Sequence, residues 1–194
     1  MPSKMYNPFG PRIGMFKLTE DIVKDLNKDC LTATGDMADK LVGNIEVQRS
    51  FTVAALNRHG SWFCDVANEY AQALEFIDLP QVEIGTAWYN RMLNPLESNP
   101  THIHGASLMT SVGYLKLPRN FQEELRKPHK DGRGGGLRIY YGEYAPLSVS
   151  EITLVPEVGD YYVFPSVLRH AVAPLLETLK GERRSFSINF KSVA

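Results

Sequence analysis

Asn99-Pro100-Thr101-His102-Ile103-His104-Gly105 is the stretch from which the rest of the chain is best read. His102 and His104 stand two residues apart, and on an extended strand that spacing sends both imidazoles to one side. A third imidazole, His170, follows the run Phe164-Pro165-Ser166-Val167-Leu168-Arg169, and a guanidinium comes soon after in Arg183-Arg184-Ser185. Three nitrogen ligands and an anion-binding cation describe a mononuclear metal site that also takes an acidic cosubstrate. Singly, each piece has a plainer reading: solvent-facing histidines after Pro100, an edge histidine at 170, exposed arginines after Gly181. Those readings leave unexplained why all the pieces fall in register.

Around these pieces the texture is that of short strands. From Val82 onward, runs rich in β-branched and aromatic residues alternate with Gly and Pro. This predicts strands near 82–92, 107–117, 136–141, 151–155, 161–164, 169–173 and 184–191. Pro156-Glu157-Val158-Gly159-Asp160 predicts a tight hairpin between two of them. In the last strand Arg183, Ser185, Ser187 and Asn189 share one face, and Arg184, Phe186, Ile188 and Phe190 share the other. The aromatic face is expected against helices, which turns Arg183 and Ser185 into the sandwich. A guanidinium buried there needs an anion, because an unpaired buried charge is strongly destabilising.

Helical patterns are confined to the first part of the chain. Thr19 is expected to cap a helix over 19–30, with Glu20 and Asp21 in its first turn and Ile22, Val23, Leu26 and Cys30 on its apolar face. Ser61 is expected to cap a second, running through Phe63, Val66, Ala67, Tyr70, Ala73, Leu74 and Ile77 until Pro80 stops it. Residues 42–55 read as strand or short helix. Asn120 to Gly136, charged and ending in three glycines, is expected to be a mobile surface loop or lid. The organisation expected is one domain over 1–194, with helices and first strands in 1–80 backing a β-sandwich in 81–194.

At 194 residues such a domain buries roughly 70% of its unfolded surface. With 43% apolar, 22% charged and 10% aromatic residues, the composition excludes a disordered or fibrous chain. A formal charge of −1 without a polybasic stripe argues against a nucleic-acid partner. Only two cysteines occur, Cys30 and Cys64, both in helical patterns. They exclude a disulfide scaffold and favour a reducing, cytoplasmic setting. Neither a signal peptide nor an apolar run of roughly 20 residues is expected, so no membrane partner is. Exposed sheet edges leave room for a homodimer. Cys64 has no neighbouring base to activate it. His59 and His129 are expected on the surface, and Trp62 and Trp88 as packing aromatics, with Trp88 also suited to line a pocket. Asn90 is either a polar anchor near the site or a sheet-edge residue.

Trp88 to Asn90, Asn99 to Gly105, Ser111 to Pro118, Gly136 to Ile139, Gly159 to Pro174 and Arg183 to Phe190 follow in an order and spacing that resembles the 2-oxoglutarate/Fe(II)-dependent oxygenases. The likeness spans about Thr86 to Phe190 and is greatest to a branch of short proteins from marine bacteria and their phages. It implies a mainly β fold with backing helices: a cupin-like double-stranded β-helix, or jelly roll. It also implies Fe(II) at the open end and 2-oxoglutarate and molecular oxygen as cosubstrates. By position, His102, His104 and His170 would be the metal ligands and catalytic centre. Arg183 and Ser185 would sit at the far carboxylate of 2-oxoglutarate, with Tyr114 donating to the same group. The activity implied is a dioxygenase that hydroxylates a small-molecule or peptidyl substrate while 2-oxoglutarate is decarboxylated to succinate. Two other readings remain: a non-catalytic jelly-roll metal-binding module, and a three-His oxygenase that ignores the keto-acid.

One departure bears on the chemistry. Most of the superfamily carries His-x-Asp or His-x-Glu, where this chain has His104. A neutral imidazole in place of the carboxylate leaves an extra positive charge on the centre, which dianionic 2-oxoglutarate can offset. An all-nitrogen set also accepts Zn(II), Ni(II) or Cu(II) readily, since Fe(II) is low in the affinity order. A different register makes His104 the first ligand, followed by Gly105-Ala106 as in halide-accepting members; it leaves His102 without a role. Because a protonated imidazole cannot ligate, metal affinity is expected to fall below about pH 6.5.

Overall fold

Thr19 and Thr52 decide where the two long helices begin. In the computed structural model, which describes residues 10–74, 81–127 and 134–193, the Thr19 hydroxyl accepts from the Ile22 N–H and starts α1 (Glu20–Thr32). Thr52 accepts from the Ala55 N–H at 3.1 Å and starts α2 (Val53–Gln72). The second helix therefore begins well ahead of Ser61, the expected cap. Gly60 reads as a break, yet Ala55, His59, Phe63, Val66, Ala67 and Tyr70 form one continuous buried stripe. Packing of that stripe outweighs the weak helix propensity of a single glycine. His59, expected on the surface, is buried within it, its Nε2 3.4 Å from the Asp25 carboxylate. Asp29 on α1 accepts from the Thr52 backbone and hydroxyl and, at 2.8 Å, from Tyr89, tying both helices to the sheet beneath. Ile77, Pro80 and His129 lie outside the described residues.

The described residues also form ten strands: β1 (Gly14–Lys17), β2 (Val47–Ser50), β3 (Val82–Met92), β4 (Asn99–His102), β5 (Met109–Lys116), β6 (Leu137–Tyr140), β7 (Glu151–Leu154), β8 (Asp160–Pro165), β9 (Arg169–Val172) and β10 (Arg183–Ser192). The ambiguous 42–55 stretch thus resolves into β2 and the first turn of α2. Every strand pairing is antiparallel. They form a six-stranded sheet, β1-β8-β5-β10-β3-β2, and a four-stranded sheet, β4-β9-β6-β7. From β3 to β10 the chain winds between the two as a double-stranded β-helix, the jelly roll expected.

The large sheet is buried on both faces. On one, Phe186, Ile188 and Phe190 of β10 join Leu26, Phe63 and Ala67 of the helices. On the other, Val112, Tyr114, Tyr162 and Phe164 meet Leu137, Ile139 and Val172 of the small sheet. Burial of each such side chain contributes about 1.5–3 kcal/mol. Gly113 lies opposite Phe186 in register, and the phenyl ring occupies the space a Cβ would need. The close approach requires glycine there.

Three further expectations are corrected. Pro156 to Asp160 closes no hairpin: β7 pairs with β6 in the small sheet, whereas β8 pairs with β1 and β5 in the large one. The segment carries the chain between sheets, with Gly159 at φ +89° and its N–H donating to Tyr114 O at 2.8 Å. The expected loop at 120–136 contains α3 (Phe121–Arg126), whose Phe121 and Leu125 are fully buried between the sheets. That i,i+4 apolar pair is masked by its charged neighbours. β4 was absent from the predicted strands because Pro100 interrupts the pattern; it is an edge strand, where proline removes no ladder bond.

Both cysteines are unpaired, Cys30 on α1 and Cys64 on α2. Among the described residues, no helix is long and apolar enough to cross a membrane.

Candidate metal centre

The small sheet brings the imidazoles together. His102 on β4 is the register partner of His170 on β9. Just past β4, the His104 N–H donates to Ser166 O at 2.8 Å, pinning the following loop to the turn that precedes β9. Ring centroids lie 4.3 Å apart for His102 and His170, 4.9 Å for His102 and His104, and 5.1 Å for His104 and His170. One ring nitrogen from each lies within 4.8 Å of the others. His102 belongs to the cluster, a placement that the register leaving it without a role does not account for.

Protons are placed by what the other ring nitrogens touch. Nδ1 of His102 lies 2.7 Å from Pro100 O, and Nδ1 of His170 lies 2.8 Å from Leu168 O. A carbonyl only accepts, so both Nδ1 atoms donate and both Nε2 lone pairs are left free for a metal. Burial pushes all three imidazoles below their ordinary pKa. His104 falls to about 3, from burial and then the neighbouring His170 and His102, and His170 falls to about 4, from burial and then His102. The imidazoles are thereby kept neutral at lower pH than the free side chain allows, which moves the expected loss of metal affinity below pH 6.5.

Arg183 lies in the same cavity as the three histidines, with Ser185 beside it. It is only 1% exposed. Its Nε donates to Gly135 O at 2.9 Å, one terminal nitrogen donates to Ser185 Oγ at 2.9 Å, and the other reaches Tyr114 Oη at 3.5 Å. Its guanidinium carbon stands 5.1 Å from the Tyr114 ring centroid. Among the described residues no carboxylate pairs with it. Tyr114 is fully buried and supports the guanidinium; it is not among the residues lining the cavity. The sheet's opposite face holds Arg184, which is buried against Glu182 and donates to the Asn27 side chain at 2.8 Å.

Trp88 walls the cavity, 5.6 Å from the His104 ring. Trp62 packs elsewhere, on Phe63 and Tyr161. Asn90 faces inward and accepts from Gln48 Nε2 at 2.9 Å, which settles it as a polar anchor. Gly135, Gln48 and Asn99 also shape the site, and Gln48 and Asn99 carry no sequence signal that separates them from loop or strand residues. For Gly135 the three-glycine run was the available clue: φ is +76°, and a Cβ would press on Leu175 and Phe121.

The residues fit a divalent cation and a dianion. Three neutral imidazoles converge, two of them in the ligating tautomer, and a desolvated guanidinium without an anionic partner faces the same space.

A sequence model of the family described as "Putative 2OG-Fe(II) oxygenase" matches residues 86–189, more than half of the chain. A comparison with curated proteins found no match. Among solved structures, the chain is similar to a Pseudomonas putida prolyl-4-hydroxylase at 19% identity and TM-score 0.58, covering 93% of this chain and 92% of that one. It is similar to a viral collagen prolyl hydroxylase of Paramecium Bursaria Chlorella virus-1 at 16% identity and TM-score 0.56, covering 94% and 96%. It is similar to HygX of Streptomyces hygroscopicus, solved with nickel, 2-oxoglutarate and hygromycin B, at 9% identity and TM-score 0.58, covering 93% and 83%. At these identities the neighbours bear on the fold, and the family match over residues 86–189 bears on kinship. The chain belongs to the 2OG-Fe(II) oxygenase family.

Proposed function

We propose that the protein is a 2-oxoglutarate-dependent Fe(II) dioxygenase of hydroxylase type. The observation that carries this reading is the shared cavity, with three convergent imidazoles and a buried, anion-less Arg183. His102, His104 and His170 would hold the metal through Nε2. When bound, metal and keto-acid supply the redox chemistry, in which one oxygen atom of O2 enters succinate and the other the substrate.

The chain's own residues bind, orient and exclude water. Arg183 is fixed by Gly135, Ser185 and Tyr114 and takes the distal carboxylate of 2-oxoglutarate. The Ser185 hydroxyl accepts from Arg183 and so keeps its own proton to donate to that carboxylate. Tyr114 backs the guanidinium from the core. Trp88 and Phe164, the latter 5.1 Å from the His170 ring, wall the centre against water.

Names of the structural neighbours point to unlike substrates, a prolyl residue for two and hygromycin B for the third. The fold alone therefore selects no substrate. Iron-loaded protein incubated with 2-oxoglutarate and oxygen tests the reading. Succinate formation that requires both iron and Arg183 is expected. Keto-acid bound without turnover points to a binding module, and oxygen uptake indifferent to the keto-acid points to a three-His oxygenase of another kind.

A further inference from the structure

His102 and His170 each have a backbone carbonyl to hold the Nδ1 proton; among the described residues His104 has none. Its Nδ1 faces the side-chain amide of Asn189 at 3.4 Å. Behind the amide stands Thr110, buried and directly opposite Asn189 in the β5–β10 register. The Thr110 hydroxyl lies 2.8 Å from the amide oxygen and 3.4 Å from Ile188 O.

Two orientations of the amide fill the same space. With nitrogen toward His104, the amide donates to Nδ1, and the imidazole proton must sit on Nε2. That blocks the only nitrogen left for a metal. With the amide turned over, its oxygen accepts the Nδ1 proton, its nitrogen donates to Thr110 Oγ, and Thr110 donates to Ile188 O. The imidazole N–H, one amide N–H and the Thr110 hydroxyl then each have an acceptor, and His104 shares the tautomer of the other two imidazoles.

We propose that Asn189, backed by Thr110, is the positioning residue that sets the tautomer and ring orientation of His104 when a metal binds. Asn189 thus completes the ligand set where a carboxylate would need no such help. The proposal rests on the three-His metal reading above and concerns proton placement at constant charge. An outer hydrogen-bond partner of a metal-bound imidazole is typically worth 10- to 100-fold in affinity.

The test is calorimetric titration of the metal-free full chain with Ni(II) alone, paired with nitrogen NMR of the imidazoles. Asn189→Leu should weaken Ni(II) binding by roughly 10- to 100-fold with unchanged far-UV dichroism. Asn189→Asp, which can only accept, should restore or exceed wild-type affinity. On Ni(II)-competent wild-type protein loaded with diamagnetic Zn(II), His104 should show a protonated Nδ1 and a metal-bound Nε2. Wild-type affinity in Asn189→Leu, failure of Asn189→Asp to rescue, or a metal bound at Nδ1 of His104 overturns the inference while leaving the metal site standing. If wild type takes up no Ni(II), both readings fall together. Should Asn189→Leu not fold, Thr110→Val removes only the supporting hydroxyl. A weaker Ni(II) affinity in that variant supports the relay, and an unchanged one contradicts it.

Discussion

Arg183 donates from Nε to the carbonyl of Gly135 at 2.9 Å, and this neutral acceptor stands where a buried guanidinium ordinarily has a carboxylate. Only glycine presents the carbonyl this way, at φ +76° and with Leu175 and Phe121 packed where a side chain would go. A cation held by neutral groups is a poor contributor to folding and a ready anion receptor. Its effects on binding and on stability should therefore have opposite signs.

Arg183→Met is expected to weaken 2-oxoglutarate binding by about 10- to 150-fold, equivalent to about 1.5–3 kcal/mol for a charge-assisted pair. The same change should leave the metal-free protein as stable as before or more so, because it removes an unpaired buried charge. Arg183→Lys should bind little better than Met, since an ammonium lacks the planar fork. Calorimetry and thermal melting read the two effects; undiminished keto-acid affinity in Arg183→Met counts against the assignment.

Glu182 on the opposite side of the sheet should behave in the reverse manner. Its carboxylate accepts from Arg91 at 2.6 Å, from Arg184 at 2.8 Å on each oxygen, and from Lys116 at 3.2 Å. Burial opposes ionisation, but these bonds outweigh it and hold the carboxyl at about 2. Glu182→Gln should lower stability by about 3–5 kcal/mol in urea unfolding, because it strands buried Arg184. The folded value lies below the ordinary one, so this stabilisation is present above about pH 4.5 and is lost as pH falls towards 2.

The imidazoles give a second pH window. His104 and His170 titrate lower in the folded chain than in the unfolded one. Below about pH 6.5 the unfolded state therefore takes up protons that the folded state refuses. The metal-free protein should lose stability from about pH 6.5 downward, by up to about 1.4 kcal/mol per pH unit for each histidine. Metal affinity of the folded protein should meanwhile fall less steeply below pH 6.5 than free imidazole ligands would give. Affinity falling steeply from pH 6.5, measured by metal competition, would show the imidazoles to be water-exposed.

His170→Ala should cost more metal affinity than the roughly 10- to 100-fold expected for loss of an outer hydrogen-bond partner. His59→Ala, remote from the cluster on α2, should leave it unchanged even if stability drops. Equal metal loss in both variants would argue for unspecific coordination.

The site was legible in the sequence to an unusual degree because its chemistry lies on strands, where face parity is a strict rule. Alternation alone turned Arg183 and Ser185 inward and Phe186, Ile188 and Phe190 towards the helices. What was hidden depended on partners distant in sequence. His59 reads as polar surface until α1 covers it with Asp25, and Phe121 and Leu125 read as strays in a charged loop until the second sheet closes over them. Pro156 to Asp160 has the composition of a hairpin, and only the pairing of β7 and β8 with other strands shows it to be a crossing between sheets. Gly135 and the amide of Asn189 act through a backbone carbonyl and a hydrogen-bond chain, neither of which leaves a residue pattern.

The most direct test is the affinity of 2-oxoglutarate for the protein under anaerobic conditions, measured with and without Fe(II). If three imidazoles and Arg183 frame one cavity for metal and keto-acid together, binding should be tight with iron and at least tenfold weaker without it. Keto-acid affinity that is the same in both states, or undetectable in both, would contradict a shared site.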